Sequence, residues 1–87
     1  MADVRLPATL PPLFRDLPRR IDVDAASVGS AIDRLDERWP GLRDRLCEPG
    51  PVLRRHINVY VDLAPAELGT PLDEHSRLDV ITAISGG

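Results

Sequence analysis

Apolar and polar residues alternate in short runs toward both ends of the chain and recur at helical spacing between them. Val4-Arg5-Leu6 and Thr9-Leu10 read as a first strand interrupted by Pro7. The proline-rich stretch Pro11 to Pro18 reads as turn or loop, since proline has no N–H to give a ladder. Arg20-Ile21-Asp22-Val23 alternates with a period of two and predicts a second strand, hairpin-paired with the first. The best helix follows. Ser27 is its N-cap, and Val28, Ala31, Ile32, Leu35 and Trp39 share one face. Pro40-Gly41 stops it, because proline disfavours helical backbone in the residue before it. Leu42 to Leu46 suits one more short helical turn, and Cys47 to Pro51 reads as loop. His56 to Val61 is the clearest strand: Ile57, Val59 and Val61 on one face, His56, Asn58 and Tyr60 on the other. Asp62 to Leu72 reads mostly as connection. Leu78 to Thr82 is the last strand, with Leu78 and Val80 inward and Ile81 and Ala83 outward.

This order predicts an α+β two-layer domain, a mixed sheet of four to five strands with one main helix on one face. A right-handed crossover through the helix lets the first and last strands lie parallel and adjacent, a β-grasp arrangement. Residues 1 to 84 form the expected domain, and 85 to 87 an expected flexible tail ending in Gly86-Gly87.

Composition narrows the function. At 87 residues the chain has room for one domain and a thin core. Phe14, Trp39 and Tyr60 are its only aromatic residues, too few for a deep aromatic pocket. A net charge of -3 offers no basic excess for nucleic acid. No apolar run is long enough to span a bilayer, and no signal-like core opens the chain. Arg19-Arg20 and Arg54-Arg55 read as solvated strand ends. A single cysteine, Cys47, fits a reducing, cytoplasmic setting and a small packing role. His56 and His75 lack the partners of a metal site, so no metal is expected. All eleven basic residues are arginine. That reads as a coding bias or, if the carboxyl terminus is activated, as a surface that cannot be acylated by it.

Three stretches together resemble the ubiquitin-like sulfur carriers of the MoaD/ThiS type. Ser27 to Leu46 is similar to their capped helix, Pro-Gly stop and following turn. Arg54 to Asp62 is similar to their central strand, with Asn58 at a place held by Asn. Leu78 to Gly87 resembles the last strand and Gly-Gly tail. The likeness is nearest to CysO-type carriers of cysteine biosynthesis. Thr82, where the family often has proline, and Glu74 to Arg77, where a tight Asp-Gly-Asp-like turn is common, depart from the pattern.

The resemblance implies a substrate rather than an enzyme, with no catalytic residue and no bound cofactor of its own. A ubiquitin-activating-enzyme-like adenylyltransferase, using ATP and magnesium, adenylates the Gly87 carboxylate. A sulfur donor displaces AMP and leaves a thiocarboxylate, which a sulfurtransferase or acceptor synthase consumes in cysteine, thiamin, molybdopterin or siderophore synthesis. Gly86 gives access to a narrow channel, with Ser85 and Ile84 as the stalk. The four residues from Ile84 reach about 13 Å when extended. Ile81, Ala83, Tyr60 and Asn58 are the expected docking patch. A ubiquitin-like protein modifier joined through Gly87, and a β-grasp interaction domain with an incidental Gly-Gly end, are the alternatives.

Overall fold

The computed structural model describes residues 1 to 82. The outward Ala83, the Ile84 and Ser85 stalk, and the Gly86-Gly87 end expected from the sequence all fall outside them. Seven strands and two helices follow in order: β1 (Ala2–Arg5), β2 (Arg20–Val23), α1 (Val28–Arg38), α2 (Leu42–Leu46), β3 (Cys47–Glu48), β4 (Val52–Leu53), β5 (Ile57–Val61), β6 (Ala64–Ala66) and β7 (Arg77–Thr82). Five strands form one mixed sheet in the order β2-β1-β7-β5-β6, and β3 and β4 pair separately. β1 and β2 are the expected antiparallel hairpin, and β1 runs parallel to β7, with Val4 opposite Leu78. This is the α+β arrangement the element order predicts.

Alternation decides which face of the sheet is covered. Ala2, Val4, Val23, Ile57, Val59, Leu78 and Val80 point to one side and meet Val28, Ala31, Ile32 and Leu35 of α1 in the core. Leu42 and Leu46 of α2 close one end of it. Each fully buried leucine or isoleucine contributes about 1.5–3 kcal/mol of burial free energy.

α1 begins where the sequence places it. The Ser27 hydroxyl accepts from Ser30 N–H (3.1 Å), and the Ser30 hydroxyl accepts from Ser27 N–H (3.0 Å). Two further helix donors, Val28 and Gly29 N–H, reach the Thr70 and Leu68 carbonyls of the segment after β6 (3.0 and 2.8 Å). At the other end Trp39 is the C-cap and packs against the edge of the core. It is half-buried, and its indole N–H donates to the Arg15 carbonyl (3.0 Å). The Asp36 carboxylate then accepts from Gly41 and Arg43 N–H (3.1 and 3.0 Å), fixing the α1–α2 junction. Gly41 has φ +98°, with Phe14 3.7 Å from where a Cβ would stand. Glycine suits that backbone.

Three expectations change. The first strand starts at Ala2 and ends at Arg5, while Thr9-Leu10 is a turn leading into a 3-10 turn at Pro11–Leu13. Adjacent prolines fix φ there and remove the donors a strand needs. Cys47-Glu48 is a short strand, not loop, pairing with Val52-Leu53 around the Pro49-Gly50-Pro51 tip. The connection after β5 contains β6, an Ala-Pro-Ala edge strand that tolerates Pro65 because one side of it needs no partner.

Candidate functional site

β7 is the central strand of the sheet, held by β1 on one side and β5 on the other. It ends at Thr82, from which residues 83 to 87 continue. β1 pairs with it as far as Asp79 and β5 out to Thr82, so β5 holds the root of the tail. On the inward face Leu78 is 0% exposed and Val80 is buried.

The outward face carries the predicted docking residues. Ile81 lies directly opposite Asn58, and Asp79 opposite Tyr60, which is in turn opposite Pro65 on β6. Ile81 is 46% exposed, Asn58 exposed and Tyr60 half-buried. The structure thus brings Ile81, Asn58 and Tyr60 onto one face of adjacent strands.

Ion pairs border this patch on the β1–β2 side. Arg77 grips Asp79 through two nitrogens (2.8 and 3.2 Å). Asp3 accepts from Arg5 and from Arg20 (both 3.1 Å), so Arg20 is a paired strand end rather than a merely solvated one. Burial pulls the Asp3 carboxyl upward, but the hydrogen bonds and charges of Arg5 and Arg20 outweigh it and hold the pKa below its ordinary value. Ahead of β7, Asp73 and Ser76 close the turn at the place where the sequence departs from the Asp-Gly-Asp-like form. The Asp73 carboxylate accepts from His75 N–H (2.7 Å), and Ser76, buried, accepts from Asp73 N–H (2.9 Å).

A second feature was not foreseen in the sequence. Thr82 lines a groove of about 710 Å³ with Thr9, Leu13, Arg45, Arg54 and His56. Its walls come from the β1–β2 loop, α2 and the residues ahead of β5, segments whose meeting no local pattern announces. Arg54 is held there by donation from Nε to the Asp44 carbonyl (2.7 Å), with Glu48 at 3.8 Å.

Cys47 is 6% exposed, and burial pushes its thiol pKa upward, although Arg43 and Arg54 pull the other way. A thiol kept protonated is a packing group, not a sulfur relay. His56 and His75 are exposed, and among the described residues no group of three His, Cys, Asp or Glu is placed to hold a metal. No helix of the described residues is long and apolar enough to cross a membrane.

A five-stranded mixed sheet with β1 parallel to a central last strand, one long helix across it and an exposed patch beside the last strand define a ubiquitin-like β-grasp protein. The ThiS family model matches residues 7–87, and the chain belongs to that family. Solved structures agree. The CysO chain of a BexX/CysO complex from Amycolatopsis orientalis superposes with a TM-score of 0.88 at 25% identity, over 100% of both chains. CysO of Mycobacterium tuberculosis, at 21% identity, shares the fold with a TM-score of 0.84, over 97% of this chain and 100% of that one. SAMP1 of Haloferax volcanii is 32% identical with a TM-score of 0.69, over 99% of this chain and 98% of the other. No curated protein sequence matches. The chain is thus a ubiquitin-like sulfur carrier or modifier.

Proposed function

We propose that this protein is a sulfur carrier that reacts through its carboxyl terminus. The observation that carries this reading is the family match, which runs to residue 87 and so includes the Gly86-Gly87 pair. A carboxylate acylates nothing until it bears a good leaving group. Its oxygen therefore attacks the α-phosphorus of ATP on a partner adenylyltransferase, displacing pyrophosphate. Magnesium on that partner shields the phosphate charge. Hydrosulfide, or a persulfide whose S–S bond a thiol then reduces, attacks the Gly87 carbonyl. The C–O bond to AMP breaks and a thiocarboxylate remains, to be passed to an acceptor synthase. The chain itself is the protein co-substrate, and the cytoplasm is the location this reading gives it.

Gly86 and Gly87 present no Cβ to a narrow channel, and Ser85 and Ile84 span the distance to it. Docking falls to Ile81, Asn58 and Tyr60, and the reading adds Ala83 to them. An exposed apolar residue rimmed by polar ones beside the reacting end is the form such surfaces take. The adenylyltransferase is the occupant this reading gives to the patch.

The test is intact mass after incubation with ATP, an adenylyltransferase and a sulfur donor. The expected result is one oxygen-for-sulfur exchange mapped to Gly87 and lost when Gly87 is deleted. A folded protein that takes no sulfur from several such systems overturns the reading. Likeness to a small archaeal modifier protein of Haloferax volcanii favours a second reading, conjugation to target amines through the same activated carbonyl. An isopeptide ladder in the same assay would put it first.

A further inference from the structure

The two edges of the sheet differ. β6 carries Pro65, a residue that guards an edge, whereas β2 is Arg20-Ile21-Asp22-Val23 with no proline in it. The ladder with β1 decides which of its backbone groups are left over. Leu6 N–H donates to the Arg19 carbonyl (2.6 Å), so the next hydrogen-bonded pairs along this antiparallel ladder are Val4 with Ile21 and Ala2 with Val23. The N–H and C=O groups of Arg20 and Asp22 therefore point outward, away from β1. α1 does not cover them. A groove of about 300 Å³ runs between Asp22 and Val23 on one side and Leu35 and Arg38 on the other.

The charges on β2 are ordered against its neighbour in the same chain. Asp22 lies directly opposite Asp3, and Arg20 directly opposite Arg5. Like charges so placed destabilise a pair of strands. Arg20 escapes by reaching diagonally to Asp3 through Nε and Nη2 (both 3.1 Å), which leaves the Nη1 donors of a side chain that is 69% exposed. Asp22 is exposed and has no hydrogen-bonded or ionic partner for its carboxylate among the described residues. Charge on an edge strand ordinarily keeps a second strand away. Here its order is self-complementary.

Pairing β2 with β2 of a second copy must match outward groups with outward groups, which leaves registers centred on Arg20, Ile21 or Asp22. Centred on Arg20, it sets Arg20 against itself and Asp22 against Pro18, which has no N–H. Centred on Asp22, it sets Asp22 against itself. Centred on Ile21, it sets Arg20 against Asp22 on each side of the axis, and each pair exchanges both N–H···O=C bonds. The half-buried Ile21 side chains then meet across the axis on the helix side. We propose that two copies of this protein join through β2, antiparallel about a two-fold axis at Ile21, so that their five-stranded sheets run on into each other. So short an edge makes a small interface, and the pair is reversible, with a Kd in the micromolar range or weaker. The patch of Ile81, Asn58 and Tyr60 lies on β7 and β5, beyond β1 from this edge, and stays open in the pair. Nothing in the pairing depends on the reading of Gly87.

The test is sedimentation equilibrium of the full chain at concentrations up to about 1 mM, above the Kd expected of a small interface. The wild type is expected to dimerise as concentration rises. Asp22→Arg and Arg20→Asp are each expected to weaken the dimer about tenfold or more, since each sets like charges opposite one another across the axis. An equimolar mixture of the two variants is expected to regain it, because each then meets opposite charges on the other. Neither exchange is expected to harm the fold: within the chain the first sets arginine beside Asp3 and the second aspartate beside Arg5, as thermal unfolding of each variant checks. A wild type that stays monomeric through the range overturns the proposal and leaves this edge to a strand of another protein. So does a dimer indifferent to both variants, or a mixture of folded variants that does not recover it.

Discussion

Asp3 shows what single residues contribute. Its carboxylate faces two arginines on the outer side of the sheet, where solvent limits each pair to about 0.2–1 kcal/mol. The pKa is lowered in the fold, so the stabilisation is complete above the ordinary carboxylate pKa of about 3.9 and is lost as pH falls through the lower folded value. Asp3→Asn is expected to lower stability at neutral pH by about 0.5–1 kcal/mol and to flatten the acid limb of a urea-midpoint profile. An unchanged acid limb would assign the acid sensitivity elsewhere. At this scale the sequence was legible where a residue acts on its neighbours. Ser27 caps three residues ahead, and Ile57 and Val59 take alternate positions. Arg20 was not, because its partner Asp3 is seventeen residues away.

At the scale of elements, the β5–β6 hairpin carries an avoidable strain. Its two-residue turn places Asp62 at φ 51° and Leu63 at φ 71°. Both torsions match the turn that suits the twist of a hairpin, which asparagine and glycine fill best. Asp62 is compensated, since its carboxylate accepts from Arg77 N–H (2.9 Å) and ties the turn to the start of β7. Leu63 is 72% exposed and gains nothing. Leu63→Gly is expected to stabilise by about 1 kcal/mol, a rise of roughly 4–8 °C in Tm for a domain of this size. An unchanged or lower Tm would mean that the leucine is relaxed in that conformation. The same strain explains why β6 was hidden. Ala-Pro-Ala has no strand signature, and Asp-Leu is not a typical turn pair. The pairing is made with β5, on the far side from β7.

For the whole molecule, the outer sheet face and the tail root are what a partner meets. Ile81→Asp changes an exposed side chain with no core role. It is expected to leave the unfolding midpoint within about 0.5 kcal/mol while raising, several-fold, the carrier concentration needed for half-maximal pyrophosphate release by the adenylyltransferase. A weakened fold with unchanged half-saturation would remove Ile81 from the docking surface.

The sequence by itself determined the capped helix, the strand alternation, the parallel placement of first and last strands and the Gly86-Gly87 end. These follow from local rules: i to i+3 capping, periods of 2 and 3.6, and the handedness of crossovers. Only the tertiary structure decided the rest. It set Ile81 opposite Asn58, paired Arg20 and Arg5 with Asp3, raised β6 and β3 from apparent loop, and gathered Thr9, Arg45, Arg54 and His56 around Thr82. Apart from the Arg5–Asp3 pair and the two short hairpins, these join residues far apart in the chain. No pattern within one segment encodes such a meeting, which exists only once burial of the shared core has fixed where the segments lie.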